Sequence, residues 1–296
     1  MLYRIGLIGL GQIGLGYDLG LNSTYIQTHY RAILDQKRMK LAFVFDLDSS
    51  RYSYVHSSVL KLSNLTQVKE KLSEIDVLVL ATPTTTHLKI LKQLQLKNER
   101  NFMLLLEKPV GEGLSSNVKI NEYLQNLIYR VNYIRRSVPT FSKIKKYLSQ
   151  AKGWQMNCEF NGEWLNIGSH FFDLFLYFSD QTEDLRYIWV NENTLEVRSS
   201  NKNVLVLVRK HEKLDFPYRY QIKADEIKII FDEKREVVQF MKDGLPKCSS
   251  RLSLRTYQKH VYNDLIELLD VGANKNMADG SSSIKFHQIL GGRNDY

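Results

Sequence analysis

Six residues near the N-terminus constrain this chain more than any other feature: Gly9-Leu10-Gly11-Gln12-Ile13-Gly14, standing directly after the apolar run Tyr3–Ile8. The run reads as a buried strand, and a G-x-G-x-x-G loop after a strand lets backbone N–H groups approach a pyrophosphate. Alone, the pattern also fits a glycine-rich turn in an ordinary α/β domain. The residues that follow favour a dinucleotide loop, because short apolar runs at 41–45, 77–81 and 102–106 alternate with helical spacing, as βαβ units and a parallel sheet require. The intervening helices are expected over 24–35, 88–96 and 114–129. In the first of these Thr24 and Gln27 form a capping box, and Ile26, Tyr30 and Ile33 share a face.

Beyond residue 131 the texture changes. An amphipathic helix is expected over 141–149 and a strongly apolar one over 168–178. Strand-like runs follow at 187–190, 204–209, 216–222, 227–231 and 236–241, separated by short polar turns that suggest an antiparallel meander. A last helix over 257–269 precedes a Gly/Asn/Ser-rich loop and a tail. The fold class expected is an α/β Rossmann domain over residues 1–130, followed by an α+β domain with a mainly antiparallel sheet over 131–296. A length of 296 residues suits two domains.

Composition removes other classes. Hydrophobic residues at 43% and charged ones at 25% are globular values, and no run approaches the roughly 18 apolar residues of a membrane span. The N-terminal stretch is read as part of the fold rather than as a signal peptide. Two cysteines, Cys158 and Cys248, make neither a disulfide framework nor a zinc site, so no metal is expected and a cytoplasmic location is. The net charge of +9 favours anionic ligands. No nucleic-acid-binding motif accompanies it, so nucleic acid and membrane are not expected partners.

Asp46 ends the second strand, where a carboxylate can accept from a ribose 2′-hydroxyl and repel a 2′-phosphate, favouring NAD over NADP. Asp46 also suits a turn cap, and Arg51 nearby could receive a phosphate. One irregularity stands beside the loop: Gly16 and Gly20 interrupt the expected first helix, so GYDLGLNS reads as an insertion that displaces the helix dipole from the phosphates.

Four further segments stand in a telling order: ATPTTTH at 81–87, Glu107-Lys108-Pro109, VNYIRRSVP at 131–139 and GSHFFD at 168–173. With the glycine loop they resemble the glucose-fructose oxidoreductase, inositol dehydrogenase and rhizopine-catabolism (Gfo/Idh/MocA) family. The resemblance implies a cofactor site of Gly9, Gly11, Gln12, Ile13, Gly14, Asp46, Thr82, Pro83, Thr84, His87, Glu107 and Lys108. It implies that Lys108 stands beside the nicotinamide and the substrate hydroxyl. A lysine desolvated there next to a cationic ring would have its charged form disfavoured and could exchange a proton near neutral pH.

Asn166, His170, Asp173 and Tyr177 are spaced to share one face of the apolar helix, and the resemblance makes His170 the substrate-contacting histidine and second proton-transfer group. Many family members carry Asp where Asn166 stands, and Asn resembles the branches acting on nucleotide-linked sugars. Between residues 129 and 152 there are seven basic residues and no acidic one, and Arg135 and Arg136 are expected to hold a substrate phosphate. The substrate-binding set is thus Lys108, Arg135, Arg136, Asn166, His170 and Asp173. The expected function is NAD-dependent oxidation or reduction of a phosphorylated or nucleotide-linked sugar, with surface polysaccharide biosynthesis as its setting and a homo-oligomer as its form. The stretch before Asn166 is shorter than in the family, which leaves a second reading open: an NAD-binding regulator or assembly partner without turnover.

Overall fold

The computed structural model describes residues 1–22, 24–96, 102–179, 185–199, 204–212, 218–274 and 276–291. The chain forms two compact units, each discontinuous in sequence: residues 1–134 with 255–284, and residues 135–254 with 285–296.

The first unit is built on a six-stranded sheet in the order β3-β2-β1-β4-β5-β6, every neighbouring pair parallel. The strands are β1 (Tyr3–Ile8), β2 (Met39–Phe45), β3 (Leu60–Leu62), β4 (Val77–Leu80), β5 (Met103–Leu106) and β6 (Tyr129–Val131). The uninterrupted apolar sequences VLVL and MLLL are buried at every position, as strands covered on both faces must be. Alternate side chains feed two separate cores. Ile5, Leu7, Val77, Val79 and Leu105 pack with Ala32 and Ile33 of α1 (His29–Asp35) and with Val261, Leu265 and Leu268 of α7 (Tyr257–Val271). Ile8, Leu78, Leu80, Leu104 and Leu106 pack on the opposite face with Val68 of α2 (Leu65–Glu70), Leu91 and Leu94 of α3 (His87–Leu94), and Ile120 of α4 (Leu114–Tyr123). Each such side chain contributes about 1.5–3 kcal/mol on burial.

Three expectations change here. The helix expected over 24–35 begins only at His29, capped by Thr28 Oγ1 accepting from Arg31 N at 3.2 Å. The helix expected over 114–129 stops at Tyr123, and its last residue opens β6. The helix near the C-terminus belongs to the first unit, so the unit does not end at residue 130.

The second unit carries an eight-stranded sheet in the order β14-β13-β12-β11-β7-β10-β9-β8. Its strands are β7 (Trp154–Asn161), β8 (Leu185–Asn191), β9 (Thr194–Ser199), β10 (Val204–His211), β11 (Tyr218–Ala224), β12 (Ile227–Asp232), β13 (Val237–Lys242) and β14 (Leu245–Arg251). The last four pair antiparallel in sequence order, β11, β12 and β13 as expected and β14 as an unexpected fourth, while β7 and β10 pair in parallel at the centre. The strand expected from 216 is described from Tyr218; residues 216 and 217 and the tail 292–296 lie outside the described residues.

Strand β7 alternates strictly, burying Trp154, Met156, Cys158 and Phe160. Over that face lie α5 (Pro139–Gln150) and α6 (Ser169–Ser179): Trp154 meets Phe175 and Phe178 edge-on, and Phe141 stacks on Phe231 with centroids 5.6 Å apart. A single π turn, Trp164–Gly168, joins β7 to α6. Where a loop was expected before the tail, α8 (Gly280–Gly291) forms, with Phe286, Ile289 and Leu290 buried.

Candidate active site of the first unit

In a parallel sheet all strands end on the same edge, so the residues that follow β2, β1, β4, β5 and β6 form a row. That row is Asp46, the glycine loop, Thr82, Glu107 with Lys108, and Asn132. Backbone bonds tie it together: Gly9 N to Phe45 O at 2.8 Å, Ala81 N to Ile8 O at 2.8 Å, Glu107 N to Leu80 O at 3.1 Å and Asn132 N to Leu106 O at 2.9 Å.

At the glycine loop the requirement for glycine is steric. Gly9 has φ +95°, and a Cβ there would lie 2.5 Å from Ala81 O; a Cβ on Gly14 would lie 2.1 Å from Gly9 O. Gly11 is different, since the nearest atom to its would-be Cβ is Arg51 Nη1 at 3.7 Å. Its outer side is open, as close approach of a pyrophosphate requires.

The insertion after the loop does not push the helix away. Leu15 N bonds to Gly11 O and Tyr17 N to Gln12 O, the first rungs of a helix. The next rungs are supplied from further along: His29 N donates to Ile13 O at 3.0 Å and Tyr30 N to Gly14 O at 2.9 Å. Those carbonyls would serve residues 17 and 18 in an unbroken helix. Residues 17–22 and 24–28 therefore lie outside a helical ladder that closes behind them. Asp18 pins the base of the loop by accepting from Gln27 N, Thr28 N and Thr28 Oγ1. The expected displacement of the dipole is thus corrected: α1 stacks directly on the glycine loop.

Asp46 anchors the far end of the row. Its Oδ2 accepts from Leu10 N at 2.6 Å and from Arg51 Nη1 at 3.0 Å, and its Oδ1 accepts from Asp48 N at 2.8 Å. The cap of the following turn is Asp48, which accepts from Ser50 N. Asp46 is left lying against the glycine loop.

After β4, Thr86 Oγ1 bonds to Thr82 Oγ1 and to Pro83 O, and Thr84 Oγ1 donates to Pro109 O at 3.2 Å. His87 is fully buried, with Nδ1 3.0 Å from Val110 O and Nε2 3.0 Å from Thr82 O. Burial pushes its ring toward the neutral form against those two carbonyls. His87 therefore joins the β4 and β5 loops, its two ring nitrogens turned to the carbonyls of Thr82 and Val110.

Glu107 is buried and accepts on Oε1 from Asn132 Nδ2 and from His29 Nε2, the latter at 2.8 Å. Burial alone would raise its pKa; the His29 and Asn132 bonds and the charge of Lys108 outweigh it, and the carboxyl lies below the usual glutamate range. His29 Nδ1 in turn lies 3.0 Å from the Tyr262 hydroxyl, 233 residues away in sequence. Lys108, joined to Pro109 by a cis peptide bond, is partly exposed beside this network. His29, Asn132 and Tyr262 were absent from the sequence-derived set. Asn132 stands within the VNYIRRSVP segment and His29 opens the first helix, whereas Tyr262 carries no local signal.

In the second unit the structure overturns one expectation. Arg135 makes a two-pronged bond to Glu233, at 2.9 and 3.0 Å, and its guanidinium lies over the rings of Tyr218 and Phe171. Arg136 does the same with Asp173, at 2.8 and 2.6 Å, over Tyr177. Both arginines are buried, at 6% and 8% exposure. Turning either toward a phosphate would strand a buried carboxylate, a loss of about 3–5 kcal/mol. Arg135, Arg136 and Asp173 are thus internal braces. Asn166 is exposed in the π turn, and His170 is partly exposed in the first turn of α6.

Residues 3–131 match the family model of the Gfo/Idh/MocA oxidoreductases, described as having an NAD-binding Rossmann fold. The chain carries the NAD-binding domain of the Gfo/Idh/MocA oxidoreductase family. No curated relative matches the sequence. Among solved structures, a UDP-N-acetylglucosamine 3-dehydrogenase, GnnA, from Acidithiobacillus ferrooxidans is 17% identical, with TM-score 0.70, covering 97% of this chain and 95% of that one. An Agrobacterium radiobacter oxidoreductase solved with NAD+, L-tartaric acid and magnesium is 12% identical, with TM-score 0.73 and coverage of 98% and 95%. A super-repressor mutant of Gal80p from Saccharomyces cerevisiae, 12% identical, has TM-score 0.76 and coverage of 99% and 95%. At these identities the likeness is one of fold.

The residues of this Gfo/Idh/MocA domain suit NAD. The open side of Gly11 and the tight packing of Gly9 and Gly14 make a cradle that side chains would fill. Asp46 offers its carboxylate beside that cradle. At the other end of the row, Asn132 Oδ1 is buried and has no partner among the described residues.

Proposed function

We propose that this protein is an NAD-dependent oxidoreductase acting on a hydroxyl or ketone of a nucleotide-linked or phosphorylated sugar. The observation that carries the reading is the row itself: a glycine cradle with Asp46 on one side, and Lys108 beside the ionised Glu107 on the other, along one edge of one sheet. Gly9, Gly11, Gln12, Ile13 and Gly14 would hold the pyrophosphate, Asp46 the adenine-side ribose, and Thr82, Pro83 and Thr84 the walls near the nicotinamide. When bound, NAD accepts or returns a hydride. Lys108 Nζ takes the proton of the substrate hydroxyl in the oxidising direction and returns it in the reducing one. His170 contacts the sugar and shares that proton transfer. Asn166, an amide, binds without acting as a base, and its place in the motif supports a nucleotide-linked sugar. With Arg135 and Arg136 engaged internally, the substrate phosphates fall to other groups.

A second reading has specific support. Arg135, Arg136 and Asp173 serve packing, and the same fold is shared with Gal80p, solved as a super-repressor. On that reading the chain binds NAD and regulates or assembles with another protein. One assay separates the two: NADH is followed by absorbance while UDP-sugars, sugar phosphates and free polyols are supplied in turn. Turnover with a UDP-sugar or sugar phosphate supports the enzyme. Tight NADH binding with no turnover across the panel supports the regulator, and turnover with neutral polyols alone moves the substrate class. As an enzyme the protein is expected to self-associate through the half-exposed polar face of the eight-stranded sheet, where Gln155, Asn157, Glu159 and Gln221 stand together.

A further inference from the structure

The Glu107 network is built with more care than a turn of the chain requires. Three elements far apart in sequence take part: α1 and the end of β6 send His29 and Asn132 to Glu107 Oε1, and α7 sends Tyr262 to the other nitrogen of His29. One proton can be placed by exclusion. An ionised carboxylate only accepts, so His29 Nε2 carries the hydrogen that meets Glu107. On the far side of the ring, His29 Nδ1 and the Tyr262 hydroxyl lie 3.0 Å apart, within hydrogen-bond distance. Burial and the Glu107 charge keep that hydroxyl protonated by raising its pKa well above the ordinary tyrosine value. Two donors, His29 Nε2 and Asn132 Nδ2, thus meet Glu107 Oε1, and Tyr262 holds the far side of the His29 ring.

We propose that Tyr262, His29 and Asn132 form a buried hydrogen-bond chain that holds Glu107 anionic and fixed beside Lys108, so that His29 and Tyr262 are positioning residues that set the proton affinity of the lysine. The inference rests on the reading of Lys108 as the proton-transfer group. A buried anion next to Lys108 favours the ammonium form and opposes burial and any cationic ring brought near it. The lysine is thereby kept in a range where it can both take and return a proton. The titratable groups facing Glu107 are His29, Lys108 and, from α3, the buried His87, whose ring feels the Glu107 charge. Asn132 and Tyr262 complete the surroundings without changing charge near neutral pH.

The test uses the ligand-free protein. Lysine side chains are labelled with 13C and 15N, the Lys108 signal is assigned by its loss in Lys108→Met, and its titration is followed by NMR. In His29→Phe, which removes the donor, Lys108 should titrate about one unit lower than in wild type, the low end for loss of a nearby opposite charge. Glu107→Gln should shift it equally, and the double variant should shift it no further. His29→Gln, which keeps an N–H near Nε2, should restore most of the wild-type value, and Tyr262→Phe should give a smaller shift in the same direction. A folded His29→Phe protein with the wild-type Lys108 titration overturns the proposal. If His29→Phe does not fold, unchanged titration in both Glu107→Gln and Tyr262→Phe overturns it. Failure of the catalytic reading shows separately, as wild-type turnover in Lys108→Met.

Discussion

Asp46 shows how one side chain can serve fold and ligand together. It ties the end of β2 to the glycine loop through Leu10 N and gathers Arg51 onto the same oxygen. Tighter binding of NADH than of NADPH is expected, because a 2′-phosphate would meet this carboxylate. Asp46→Ser should weaken NADH by roughly 10- to 100-fold, the equivalent of a charged hydrogen bond of about 1.5–3 kcal/mol, and should release Arg51 to improve NADPH. Fluorescence titration of both cofactors checks this, and equal affinities in wild type would make Asp46 a structural tie alone. The buried carboxylates add a pH dependence. Glu107 and Glu233 both lie below their ordinary value when folded: burial opposes this, but their hydrogen-bond partners and the adjacent Lys108 and Arg135 outweigh it. Their contribution to stability is complete above the unfolded glutamate value of about 4.3 and is lost as pH falls through the lower folded values. Melting temperature should therefore be level above about pH 5 and fall below it. Glu233→Gln should flatten that fall, and a steeper fall in the variant would contradict the assignment. Arg135→Ala should cost about 3–5 kcal/mol in denaturant unfolding through the stranded Glu233, with no selective loss of phosphorylated ligands.

At the scale of elements, the looped-out segment is the departure with the clearest consequence. Because the ladder closes from Gly14 to Tyr30 without it, deletion of residues 17–28, joining Gly16 to His29, should leave a continuous helix and near-wild-type NADH affinity. A folded deletion variant that no longer binds NADH would show that the segment is part of the cradle. The sequence carried the mostly or wholly buried strands, β1, β2, β4 and β5, because an apolar run bounded by turn residues has few other solutions. It did not carry β3, whose LKL buries one residue, or β14, which is exposed along most of its length. Helix α8 was hidden by its opening Gly-Ser-Ser-Ser, a poor helical sequence held by packing of Phe286, Ile289 and Leu290. The motif positions of the site were legible as far as they lie on strand ends. Pairing was not: nothing local marks Arg135 for Glu233, or Tyr262 for His29.

For the whole molecule, the boundary at residue 130 misses what only three dimensions contain, the return of residues 255–284 to complete the first core. Tyr262 reaches His29 by that return, so a truncation before residue 255 would remove a support of the Glu107 network as well as part of the core. The same chain can be read as enzyme or regulator, and the row on the first sheet favours the enzyme through Lys108. The most direct measurement is steady-state turnover of Lys108→Met, beside its NADH affinity, with whichever UDP-sugar or sugar phosphate the wild type converts. The expected result is unchanged cofactor binding and a rate at least about 100-fold lower, as for a lost acid-base group. A folded Lys108→Met protein that keeps the wild-type rate would contradict it.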